Sequence, residues 1–254
     1  MAIDANRLMR ETFVAAVECH PVLGSTNDRA KQCAAEGTAA LPMLITADAQ
    51  TAGRGRGANR WWTGRGSLAL SLLLDGRTLR TALAHGPLVS LAAAVAVSDV
   101  VSARAAGQSA GIHWPNDVFI AGRKIAGILV EVLAGGACVV GIGLNLNNAL
   151  GDGPLELRST AVSLADLTGH THDPTQVLVA LLQRILRLLE FLPSEPAHIS
   201  RLANAVCLQR GEVLNVDSGG RLVRGVCRGI APDGALLLDT PTGEERIVSG
   251  VLRH

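Results

Sequence analysis

Residues 87–104, PLVSLAAAVAVSDVVSAR, leave this chain little choice of architecture. The stretch has helical length and is apolar almost all the way round. A helix here has no face to give to water and must be buried against a sheet. Sheet-forming segments lie on both sides of it. Residues 43–47 and 68–74 read as short apolar strands, and 112–114, 118–120, 125–132 and 138–142 as successive later ones, with Gly122-Arg123 marking a hairpin. Residues 3–12 read as a short helix, 14–22 as a strand, and 27–35 as a helix opened by the turn Gly24-Ser25-Thr26-Asn27-Asp28. Residues 174–191 form an amphipathic helix, with Pro174 at its start and Pro193 beyond its end. This order predicts an α+β fold, one mixed or antiparallel sheet with helices packed on one side. A boundary is expected near 193–206, dividing a domain of residues 1–200 from a smaller one of 205–254. In the second, short β patterns alternate with the turns Gly219-Gly220, Asp233-Gly234 and Thr242-Gly243, as in a small SH3-like β-barrel.

Composition excludes several classes of function. The 254 residues are 48% hydrophobic with a net charge of +1, so a sizeable core is expected and neither a nucleic-acid coat nor an acidic tail is. The longest apolar run, 88–101, is broken by Ser90, Ser98 and Asp99 and is too short for a membrane span. The first twenty residues carry no apolar core of a signal peptide. Five cysteines with no CxxC spacing argue against a disulfide framework or a zinc site and fit a reducing cytosol. Of the 23 basic residues only Lys31 and Lys124 are lysine. A compact ammonium and a planar fork are not interchangeable, so the lysine at 124 hints at a place where arginine would not do. The three tryptophans sit at 61, 62 and 114, which suggests recognition as much as packing.

Two stretches carry chemistry. The first is 48–66, DAQTAGRGRGANRWWTGRG. Glycine permits close backbone approach, successive N–H groups form a nest for an anion, and arginine adds planar donors. The same pattern fits a solvated linker or an RNA-binding Gly/Arg tract. The near-zero charge and the lack of repeated RGG count against RNA. The second is His113-Trp114-Pro115-Asn116-Asp117, followed by Arg123-Lys124. Asn116 and Asp117 fall at a strand edge, and Lys124 lies on the returning strand, so Lys124 and Asp117 share one site if the hairpin forms. An ordinary hairpin with a polar turn gives the same pattern. Ser25 or Thr26 suits a helix N-cap, and the helix end equally offers free N–H groups to a ligand. His170 and His172, Asp152, Glu156, Asp217 and Asp239 read as solvated loop, turn or edge groups. No P-loop and no GxSxG elbow is present.

Ser25-Thr26-Asn27, Gln50, GRGR with a following tryptophan, WPND, K-x-x-G-I-L-V-E and Gly141-Ile142-Gly143-Leu144-Asn145 occur in one order. The ordered set resembles the biotin–protein ligases (biotin–[acetyl-CoA-carboxylase] ligases), and the C-terminal β pattern is similar to that family too. The resemblance implies the sheet of class II aminoacyl-tRNA synthetases and biotin ligases. It implies an AMP-forming activity in which biotin and ATP, with Mg2+, give biotinyl-5′-AMP. Biotin then passes to one lysine of a biotin carboxyl carrier protein or domain, such as that of acetyl-CoA carboxylase. Lys124, Arg54 and Asp117 match catalytic positions. Ser25, Thr26, Asn27, Gln50, Gly53, Arg54, Gly55, Arg56, Lys124 and Gly127 match biotin contacts. Arg54, Arg56, Trp61, Asn116, Lys124 and Asn145 match ATP contacts, Asn116 to nucleotide or metal. The resemblance implies a loop that orders over the ligand and excludes water. Beyond Asn116 it supplies no metal ligand among the side chains. The loop departs from the common bacterial pattern, because Ala58 and Asn59 stand where many members have Gly and Arg. That leaves a third arginine's role to Arg60 or to nothing. Only 24 residues precede Ser25, which implies the monofunctional type without a helix-turn-helix and without DNA binding. A monomer or a homodimer, cytoplasmic and free of membrane, is expected. A lipoate–protein ligase or octanoyltransferase, which shares the fold, is the alternative.

Overall fold

A computed structural model describes residues 3–75 and 86–253. Seven strands form one sheet: β1 (Ala16–Leu23), β2 (Met43–Gln50), β3 (Leu68–Leu74), β4 (Gly111–His113), β5 (Asp117–Ile120), β6 (Arg123–Val132) and β7 (Cys138–Leu144). Their spatial order is β1-β2-β3-β7-β6-β5-β4. β1 and β2 run parallel and every other pair is antiparallel, which makes the sheet mixed. Ala121 and Gly122, both with positive φ, close the β5–β6 hairpin. That backbone twist matches the twist of the strands it joins.

Alternate residues of each strand face opposite sides. One face carries Leu44, Leu70, Leu72, Val140, Ile142 and Ile128 into the main core. That core also takes in α1 (Ala5–Glu11), α3 (Gly86–Ser102), α6 (Pro174–Leu189) and α7 (Ala197–Ala205). Helix α3 is buried on nearly every side, as its composition requires. The other face carries Ile45, Leu73 and Val139, and α2 (Thr26–Glu36) lies on it through Ala30 and Cys33. One helix therefore sits apart from the rest, and the sheet beyond it is left uncovered as the floor of a cleft. Two short helices, α4 (Leu157–Thr160) and α5 (Leu164–Thr168), lie in and after the Gly/Pro-rich stretch that follows β7.

A second, antiparallel sheet of five strands follows: β8 (Val213–Ser218), β9 (Arg221–Ile230), β10 (Leu236–Thr240), β11 (Gly243–Ile247) and β12 (Val251–Arg253), in the order β11-β10-β9-β8-β12. The stretch 193–206, expected as a boundary, carries α7. This helix packs on α3 and is tied to β9 through Asn204, whose amide bonds both the N–H and the C=O of Ile230. Residues 206–208 then add to the edge of β4: Ile112 N–H donates to Val206 O, and Leu208 N–H to Ile112 O.

Candidate active site

The uncovered floor is built from glycines. Gly141 and Gly143 on β7 and Gly127 on β6 point to the same side, and Gly127 pairs with Gly143. A Cβ on Gly143 would lie 2.2 Å from the Trp61 indole, and one on Gly141 would lie 2.1 Å from Asn27 Oδ1. Both distances are impossible contacts, so the missing side chains are what let Trp61 and Asn27 lie on the sheet. Above this floor is a cavity of about 710 Å³. The Gly/Arg loop, the α2 N-terminus, β5, β6 and residues 249–252 of the second sheet wall it.

The α2 end of the cavity is a hydrogen-bonded cluster. Ser25 is the N-cap residue, yet its side chain makes no capping bond. Gln50 Oε1 takes the Thr26 N–H at 2.9 Å instead, and Gln50 Nε2 donates to Thr63. Ser71, fully buried in β3, lies 2.8 Å from Thr26 Oγ1 and 2.6 Å from Asn27 Oδ1. Asn27 Nδ2 donates to Glu131 and to Leu129 O.

The Gly/Arg loop folds back on itself. Gly55 N–H donates to Asn59 O and Trp61 N–H to Gly53 O, and Gly57 takes a left-handed φ of 61° at the tip. Its first two arginines divide. Arg54 is engaged by carboxylates, at 2.5 Å from Glu131 and 3.0 Å from Asp28. Arg56 bonds neutral oxygens: Asn116 Oδ1 at 3.2 Å, Ser249 Oγ at 3.2 Å and Gly250 O at 3.3 Å. Burial pushes the Arg56 guanidinium down from its ordinary value, though it remains charged. Arg60 lines the cavity and is exposed.

At the β5–β6 hairpin, Lys124 Nζ lies 2.6 Å from Asp117 Oδ2, as the hairpin reading required. The ammonium also sits 5.7 Å from the Trp61 ring centroid. Asp117 Oδ1 is buried and has no hydrogen-bond partner, and so is the Trp61 indole N–H. Stacked His113 and Phe119 line the same end.

Ser25, Thr26, Asn27, Gln50, Arg54, Gly55, Arg56, Trp61, Asn116, Asp117, Lys124 and Gly127 all line this one cavity. Two expected contacts do not. Gly53 is buried beneath the loop, where a Cβ would meet Trp61 O at 2.4 Å. Asn145 is buried behind the wall, accepting from Asn148 and bonded to Ile125 and Leu164 through its backbone. Trp114, read for recognition as much as packing, borders the cavity and is a buried anchor whose indole N–H donates to Gly234 O at 3.0 Å. Sequence reading passed over Ser71 and residues 249–252, and quoted Glu131 only as the end of K-x-x-G-I-L-V-E, with no role. A lone serine in LALSLLL and a glutamate four places after Gly127 on one strand were the available signals.

Glycine floor, arginine-bearing loop and paired lysine together suit the joining of two anionic reactants. A family model described as Biotin/lipoate A/B protein ligase family matches residues 20–147, and one described as Biotin protein ligase C terminal domain matches 211–251. The chain belongs to the biotin/lipoate A/B protein ligase family. It is 37% identical over 216 residues to a biotin–[acetyl-CoA-carboxylase] ligase of Paracoccus denitrificans, covering 80% of this chain and 86% of that one. It is 34% identical over 240 residues to the bifunctional ligase/repressor BirA of Bacillus subtilis, covering 91% of this chain and 71% of that one. The structure of a biotin protein ligase from Aquifex aeolicus in complex with biotin and ATP superposes with a TM-score of 0.82 at 27% identity, over 94% of this chain and 99% of that one.

Proposed function

We propose that this cavity runs both half-reactions of ATP-dependent biotin–protein ligation. The activity is biotin ligation with ATP as co-substrate, and the biotin-ligase relatives do not favour the lipoate or octanoate alternative. One observation carries the assignment of the site: Lys124, Asp117 and Arg56 meet the α2 N-terminus across a single glycine floor.

In the first half-reaction a carboxylate oxygen of biotin attacks the α-phosphorus of ATP, and the bond to pyrophosphate breaks. Negative charge gathers at that phosphorus, so fixed cations there lower the barrier. Lys124 is the compact cation that can touch both reactants, and Arg56 is a loop cation whose hydrogen bonds go to neutral oxygens rather than to carboxylates. Ser25, Thr26 and Gln50 form the polar end that receives the biotin ring. Trp61 offers its face to adenine. Magnesium fits as an ion brought by the triphosphate. No group of three His, Cys, Asp or Glu side chains gathers among the described residues, and Asn116 Oδ1 is the neutral oxygen beside Arg56. When bound, it would neutralise phosphate charge.

In the second half-reaction a carrier lysine attacks the acyl carbon and AMP leaves. A free lysine amine, with a pKa near ~10.4, is mostly protonated at neutral pH. Asp117, which lines the cavity beside Lys124, is the proposed group that orients or deprotonates that amine. A biotin carboxyl carrier domain is the proposed acceptor. Cytoplasm is the proposed location, since the five cysteines are free thiols and, among the described residues, no helix is long and apolar enough to cross a membrane.

ATP–pyrophosphate exchange with magnesium, comparing biotin, lipoate and octanoate, tests the reading. Exchange with biotin alone is expected. Exchange with lipoate instead would overturn the biotin assignment.

A further inference from the structure

Four charged side chains close a ring beside the cavity. Arg54 donates through Nη1 and Nη2 to the two oxygens of Glu131, at 3.1 and 2.5 Å. Arg54 Nη2 also lies 3.0 Å from Asp28 Oδ1. Lys31 completes the ring, 2.9 Å from Asp28 and 3.2 Å from Glu131. The members come from the loop, α2 and β6, and their two positive and two negative charges cancel. Such a ring offers no net charge to a phosphate. It does fix where the loop begins.

Glu131 does more than close the ring. Its Oε2 also accepts from Asn27 Nδ2 at 2.8 Å, which leaves Asn27 Oδ1 turned to the Ser71 hydroxyl. One carboxylate thus sets the first arginine of the loop and the amide at the α2 end of the cavity. Burial alone would raise this carboxyl, but the bonds from Arg54, Asn27 and Lys31 outweigh it and hold it below its ordinary value. Single exposed ion pairs contribute little, whereas bidentate forks and networks are the exceptions. The Glu131 and Arg54 side chains are 23% and 34% exposed, so the fork is mostly sheltered.

We propose that Glu131 is a positioning residue of the ligation reaction, holding Arg54 and Asn27 so that the Gly/Arg loop and the α2 N-terminus keep their spacing across the cavity. The role rests on the ligase reading above. Glu131 acts through these two residues and does not touch the reacting atoms.

The test is exchange kinetics on the full chain for wild type, Glu131→Gln and Glu131→Asp, alongside trypsin cleavage within residues 54–60. Glutamine keeps the volume and removes the charge. The expected result is a rise of about tenfold in the biotin KM, the scale of one lost charge-assisted bond, with kcat little changed. Loop cleavage is expected to speed up while the melting temperature holds, and aspartate is expected to recover part of the loss. If Glu131→Gln fails to fold, Asp28→Asn, at the more exposed corner of the ring, is expected to move KM and cleavage the same way by less. Wild-type KM and cleavage in the folded variant would overturn the role, as would a fall in kcat at unchanged KM. No exchange by the wild type with biotin would overturn the ligase reading and the role with it. Exchange by the wild type with the variants unchanged would overturn the role alone.

Discussion

Lys124, Arg54 and Arg56 are three cations within one cavity, and their neighbours give them different work. Arg54 is spent on Glu131 and Asp28, Lys124 shares Asp117, and Arg56 meets neutral oxygens. Arg56→Ala is therefore expected to raise the KM for ATP more than that for biotin in the exchange assay. Lys124→Arg places a broad fork where a compact ammonium bridges two reactants. Exchange should fall by about a hundredfold, the scale of one lost transition-state donor, while the melting temperature stays near wild type. Near-normal exchange would remove Lys124 from its central place. Gly143→Ala puts a methyl 2.2 Å from the Trp61 ring. The indole must leave its seat, at a cost of about 1–3 kcal/mol. A lower melting temperature and a changed tryptophan emission, both measured against Trp61→Phe, would show it. At this scale the chemistry of the loop was legible because glycine and arginine each announce themselves locally. Which arginine is neutralised was not, since Glu131 lies 77 residues from Arg54.

Elements turn these side chains into a site. Among the described residues α2 is the helix that packs on its face of the sheet, and its hold on β1 includes a second fork. Arg29 donates to both oxygens of Glu18 at 2.9 Å, and His20 adds a third contact. The Arg29 bond is the largest cause that takes the Glu18 carboxyl down from 4.5 to about 2. A carboxyl lowered on folding adds stability that is fully present above pH 4.5 and lost as pH falls toward 2. The melting temperature should fall across that window, and less steeply in Glu18→Gln. Equal slopes would mean that this fork does not anchor α2. The strands and the long helices were legible from period and composition. The helices α4 and α5 were not, because about one turn carries too little periodicity, and α7 was read as a boundary. The side of the sheet taken by α2 was also hidden, for an amphipathic helix fits either face.

Across the whole molecule, the two sheets meet at the cavity. Trp114, next to the Asn116-Asp117 edge, donates its indole N–H to Gly234 O, and its backbone N–H and C=O both bond the Gln209 amide. Arg56 reaches from the loop to Ser249 and Gly250. Trp114→Phe keeps most of the packing and drops the indole bond. A loss of about 1 kcal/mol and a melting temperature a few degrees lower are expected by calorimetry. An unchanged melting temperature would show that the bond does not join the sheets.

The sequence by itself determined what is local. The buried helix, the alternating strands, the left-handed turn at Gly122 and the reactive groups of the Gly/Arg and WPND stretches follow from a few neighbouring residues each. The tertiary structure decided what depends on distant contacts. It set Arg54 against carboxylates and Arg56 against neutral oxygens, put Asn145 behind the wall, made Trp114 an anchor and brought residues 249–252 to the cavity. The reason is physical: propensity and periodicity act over a few residues. Charge neutralisation and burial are set by whichever groups the folded chain brings within a few ångströms.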